Sequence, residues 1–102
     1  MKTIDINLNQ NHLLPWVNML NDTEENLEIT VFDGDDPVKV TDAKLTAQKP
    51  FGERVDIQSK IKNGIIVADV TPKVTDQTGK LVCEIETKEK SAYFLIYVED
   101  IR

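Results

Sequence analysis

Apolar side chains recur at every second position along most of this chain, and the runs break at turn residues every eight to twelve positions or so. A period of two sends alternate side chains to opposite faces of an extended ribbon, so one face can be buried while the other stays in water. Ile4, Ile6 and Leu8 alternate with Asp5 and Asn7, and Leu27, Ile29 and Val31 alternate with Glu28 and Thr30. Val38 and Val40 make a short return, and Ala43, Leu45 and Ala47 alternate with Lys44 and Thr46. The pattern continues through Val55, Ile57 and Ile61, then Ile65–Val70, Leu81–Ile85 and Ala92–Val98. Many short alternating runs at this spacing predict an all-β sandwich or barrel.

The breaks carry their own chemistry. Asn63-Gly64 joins two strand-like runs, and both residues tolerate the positive φ that a tight hairpin demands. Asp33-Gly34-Asp35-Asp36-Pro37 and Lys49-Pro50-Phe51-Gly52-Glu53 read as turns, because Gly supplies positive φ and Pro fixes φ near the turn value. Leu13 to Leu20 fits either a helical face or a strand. Pro15 would remove a backbone donor beyond a first helical turn, so a strand is expected from Trp16 onward. Thr71 to Gly79 reads as a connection. The run Ala92–Val98 is apolar on both faces, which suits a central strand or one covered by a partner.

A chain of 102 residues has room for one such domain, residues 1–102, and for one thin core. The net charge of −6 repels phosphate backbones, and no basic stripe with interleaved aromatics offsets it, so nucleic acid is not an expected partner. No apolar run approaches the roughly 20 residues of a membrane-spanning helix, and the N-terminus turns polar at once, so a soluble protein made in the cytosol is expected. Cys83 is the single cysteine, which leaves no intrachain disulfide.

Parts for catalysis are scarce. His12, the sole histidine, is flanked by Asn and Gln and lacks a positioned partner for general-base or metal chemistry. Cys83 falls on the apolar face of a strand, where a thiol acts as a small hydrophobe. The Asp33–Asp36 loop lacks the alternating ligands and distant glutamate of an EF-hand. No phosphate-binding loop, dinucleotide fingerprint or nucleophile elbow is present. A non-enzyme without cofactor or metal is therefore expected. Trp16, Phe32, Tyr93, Leu95 and Tyr97, by contrast, exceed what one side of a thin sandwich needs, and Tyr and Trp are enriched at protein interfaces. Trp16, Tyr93, Leu95 and Tyr97 are the expected interface residues.

The order and spacing of the turn motifs resemble a known family. Asp22-Thr23 is followed by Leu27–Gly34, then Pro37–Val40, then Ala43–Gly52 with its Lys-Pro turn. Later come Asn63-Gly64-Ile65, Asp76–Gly79 ahead of Leu81-Val82-Cys83, and Ser91–Phe94 before the closing strand. Together these look like the N-terminal domain of phage upper baseplate proteins, over Trp16 to Val98. The stretch from Asp76 to Cys83 also resembles the corner before the second cysteine of immunoglobulin domains. Leu81 stands where that corner has tyrosine, and no second cysteine exists. The resemblance implies an immunoglobulin-like antiparallel β-sandwich serving as a virion structural part, in contact with phage tail or baseplate proteins and with copies of itself. The alternative expectation is a small ligand- or carbohydrate-binding module that uses Trp16 or the tyrosines as a stacking platform.

Overall fold

In a computed structural model of the chain, residues 2–9, 14–88 and 90–100 are described. They form nine strands and one short helix: β1 (Lys2–Asn7), β2 (Trp16–Leu20), β3 (Glu25–Asp33), β4 (Asp36–Val38), β5 (Ala43–Gln48), β6 (Arg54–Lys62), β7 (Ile65–Val70), α1 (Pro72–Thr75), β8 (Gly79–Thr87) and β9 (Ser91–Glu99). The molecule is nearly all-β, and the alternating runs of the sequence lie on strands, except that Leu8 and Val40 fall just beyond β1 and β4.

The strands join in the order β1-β3-β7-β6-β5-β8-β9-β2, with β4 paired to the end of β3. β6 belongs to both halves of this path. Its first part, Arg54–Ile57, pairs antiparallel with β5, and its second part, Gln58–Lys62, pairs antiparallel with β7. Small side chains mark the changeover, where Ser59 lies opposite Ala68. The path curls until β1 comes close to both β9 and β2, giving a nearly closed, barrel-like sheet.

Two pairings depart from the antiparallel sandwich expected from the sequence. β1 runs parallel to β3, with Ile4 opposite Ile29, and β2 runs parallel to β9, with Trp16 opposite Leu95. Parallel neighbours cannot be joined by a tight hairpin. Here β2 intervenes between β1 and β3, and almost the whole chain intervenes between β2 and β9. Alternation fixes which face of a strand is buried but says nothing about which neighbour it takes or in which direction.

The core follows the inward rows. Ile4 and Ile6, Leu27, Ile29 and Val31, Ile66, Ala68 and Val70, Leu81, Cys83 and Ile85, and Phe94, Ile96 and Val98 are all buried. Asn63 and Gly64 have φ of 54° and 79°, as the two-residue hairpin between β6 and β7 requires. At the β3–β4 turn the Asn7 side chain acts as a substitute strand. Its amide nitrogen donates to the Gly34 carbonyl at 2.8 Å, and its oxygen accepts from the Gly34 N–H at 3.0 Å.

The Thr71–Gly79 connection is more ordered than a plain loop, because it contains α1. Pro72 starts that helix where a missing N–H is harmless. The Asp22 N–H and the Asn21 side-chain amide both donate to the Thr75 carbonyl at 2.8 Å. The Thr75 hydroxyl in turn donates to the Thr23 carbonyl at 2.8 Å. α1 thereby clasps the β2–β3 turn and fixes the far end of β2.

A candidate protein interface

The outer face of β8, β9 and β2 is built by cross-strand register. Trp16 lies opposite Leu95, and Leu95 opposite Val82, so three apolar side chains form a row across three strands. On the next outward level Asn18, Tyr97 and Lys80 are aligned, and on the level to the other side Tyr93 faces Glu84. Side chains two positions apart share a face, which is why Tyr93, Leu95 and Tyr97 point out while Ala92, Phe94, Ile96 and Val98 fill the core.

Exposure is substantial. Trp16 is 57% exposed, Leu20 48%, Tyr93 40%, Val82 38% and Tyr97 36%. Leu95, in the middle of the row, is half-buried by these neighbours. The Trp16 and Tyr97 rings meet edge to face, with centroids 5.8 Å apart and planes at 81°, a geometry favoured by the ring quadrupoles. The Leu95 N–H donates to the Pro15 carbonyl at 2.9 Å, which carries the ladder past Trp16 and holds that side chain at the sheet edge.

Charged groups border the row. Arg54 donates to Glu84 Oε1 at 3.2 Å, and the Tyr93 hydroxyl lies 3.4 Å from Glu84 Oε2. An apolar row with tethered polar groups at its border can exclude water from a contact and fix its orientation.

The four expected interface residues thus come together on one face. Val82 and Leu20 join them and were not singled out from the sequence. Val82 is hidden there between buried Leu81 and Cys83, and its role is visible only once Leu95 is placed beside it. Phe32 lies on the other half of the sheet, beside Pro37.

Phe51, also not singled out, is 83% exposed at the tip of the β5–β6 turn. That turn is firmly held. The Lys49 ammonium, buried at the base, donates to Asp76 Oδ1 at 2.7 Å and lies 3.7 Å from Glu53 Oε2. The Gly52 N–H donates to the Lys49 carbonyl at 3.0 Å.

The outer face of the other half, across β3, β7 and β6, is an open polar groove lined by Asn26, Glu28, Gln58, Lys60 and Asp69 around Val67. Cys83 is fully buried, and burial pushes its thiol up to about 12; at neutral pH no reactive thiolate forms there. His12 lies outside the described residues. Among the described residues no group of three or more His, Cys, Asp or Glu side chains is placed to hold a metal ion. In the Asp33–Asp36 loop, the Asp33 carboxylate accepts from the Asn9 side chain at 2.7 Å.

No family model and no curated protein matches this chain. Among solved structures it resembles the N-terminal domain of phage TP901-1 ORF48, with a TM-score of 0.61 over 97% of this chain and 99% of that one, at 10% identity. It also resembles part of the amylomaltase from Corynebacterium glutamicum, with a TM-score of 0.62 over 90% of this chain and 14% of that one, at 18% identity. Likenesses at these identities show a shared fold.

Proposed function

We propose that the chain is a non-enzymatic structural component of a phage or prophage particle, a tail or baseplate part that works through protein–protein contacts. The observation that carries this reading is the exposed row Trp16–Leu95–Val82 with its flanking tyrosines. The fold likeness to a phage protein domain supports the phage setting. The immunoglobulin-like view of the curled sheet belongs to the same proposal.

The mechanism is burial. Large, stiff aromatic side chains give contact area at small entropic cost and tend to carry binding energy when a partner seals them from water. Particles purified from the phage or prophage that encodes the chain should contain it. Replacing Trp16, Leu95 and Tyr97 together with Ser should leave it folded but absent from those particles. Particles that never contain the native chain would refute the reading.

A second reading has its own support. The edge-to-face Trp16–Tyr97 pair sits on an exposed face, and the same fold occurs within an amylomaltase. A saccharide could stack there. Calorimetric titration with a malto-oligosaccharide decides it, since heat that is lost in Trp16→Ala would favour binding of sugar over assembly.

A further inference from the structure

The aromatic face has a symmetry of its own, set by the strand register. About the row Trp16–Leu95–Val82, β8 carries Lys80 on one side and Glu84 on the other, and β9 carries Tyr97 on one side and Tyr93 on the other. Each flank therefore holds one tyrosine and one charge, and the two charges are opposite in sign. Lys80 has no ion-pair partner among the described residues, whereas Glu84 is held by Arg54 at 3.2 Å and lies 3.4 Å from the Tyr93 hydroxyl.

We propose that this face docks on the same face of a second copy of the chain, about a two-fold axis lying between the two sheets and along the row. The proposal rests on the assembly reading above and names its partner. With the axis so placed, residues on the row meet themselves, and residues one step to one side meet residues one step to the other. Lys80 of each copy then faces Glu84 of its mate, and Tyr97 faces Tyr93. An axis along the strands would set Lys80 opposite Asn18 instead and leave that ammonium without a counterpart, so charge complementarity selects the first arrangement.

The apolar patch supplies the larger part of the area a dimer needs. Trp16, Leu20, Val82, Tyr93, Leu95 and Tyr97 together leave on the order of 500 Å² open on this face. A stable interface needs about 800 Å² per partner, and Lys80, Glu84, Asn18 and Gln48 border the aromatic patch to supply the rest. The groove on the opposite half carries Glu28, Lys60 and Asp69 around a single Val67, and it has no comparable apolar row.

Sedimentation velocity of the purified chain, from about 1 µM to about 1 mM, tests the proposal directly. A concentration-dependent dimer is expected, and a strict monomer throughout would overturn it. The axis is read by cross-linking. Sheets packed face to face lie about 10 Å apart, which suits a short bismaleimide and is too far for a direct disulfide. The native Cys83 is buried and leaves the background low.

Val82→Cys should become a covalent dimer by itself. Lys80→Cys should not, yet a mixture of Lys80→Cys and Glu84→Cys should link. Equal self-linking of Lys80→Cys and Val82→Cys would refute the axis. Lys80→Glu, which sets two carboxylates face to face, should weaken the dimer roughly tenfold. A monomer that still enters phage particles would sink the two-fold pairing alone. A dimer that is absent from particles would sink the phage reading alone.

Discussion

The two outer faces of the sheet, on β3-β7-β6 and on β8-β9-β2, are covered differently although the same kind of inner row lies beneath each. Under the first lie Leu27, Ile29, Ile66 and Ala68; under the second lie Leu81, Cys83, Phe94 and Ile96, all fully buried. Outside, the first face shows Asn26, Glu28, Lys60 and Asp69, which water solvates at no cost. The second shows Trp16, Leu95, Val82 and two tyrosines, which water solvates poorly. Folding needs only the inner rows. The outer aromatics add little to a lone chain, so the contrast separates the residues that make the fold from those to which the proposal above assigns contacts.

The largest expected effect concerns what the halves share. Phe94→Ala, beneath the aromatic face, should cost about 3–5 kcal/mol, and Ile66→Ala, beneath the polar face, about 2–5 kcal/mol, both measured by urea unfolding. A much smaller loss in either would mean that one inner row is not a true core. Next comes the fastening of the β5–β6 turn. Asp76→Ala strands the buried Lys49 ammonium with only the more distant Glu53, and should cost about 1–3 kcal/mol, discounted because Asp76 is itself half exposed.

A third effect is read against pH. The Cys83 thiol titrates at about 12 when folded against 9.0 when free. The unfolded chain therefore loses its thiol proton first. The contribution of Cys83 is whole below pH 9 and shrinks as pH rises toward 12, a loss of about 1 kcal/mol by pH 10. Cys83→Ala should remove that part of the alkaline slope, and an unchanged slope would mean the thiol is not sealed in.

The smallest effect on stability sharpens the comparison most. Leu95→Ala with Tyr97→Ala should change the unfolding free energy of the dilute chain by about 1 kcal/mol or less, while abolishing self-association in sedimentation. Lys60→Ala, on the polar face, should alter neither by a measurable amount. If both faces respond alike, the division of labour is wrong.

Much of this was legible in the residues. The alternation of Leu27, Ile29 and Val31, or of Leu81, Cys83 and Ile85, states which side chains are buried, and Asn63-Gly64 states where a hairpin must lie. Trp16, Tyr93, Leu95 and Tyr97 were readable as a surplus for the same reason, since a run apolar on both faces has one row too many. The neighbours were not readable. That β2 pairs with β9, in parallel, follows from long-range closure of the sheet, and that closure brings Leu20 into the aromatic face, while Val82 arrives through the β8–β9 pairing. α1 escaped because four residues are too few to display a helical period, and the clasp that stabilises it comes from Asn21, Asp22 and Thr23, some fifty residues away in the chain. Phe51 sits in a turn motif whose Pro and Gly account for the bend and leave the exposure of the ring unannounced.

The pairing of position 16 with position 95 also sets a timetable. On the ribosome, β2 has no place to dock until β9, the last of the described strands, has been made. Until then Trp16 and the open flank of the sheet wait without cover, and such distant pairings close slowly. The domain therefore completes itself only once β9 has been made, and the aromatic face is the last part of the structure to come into being.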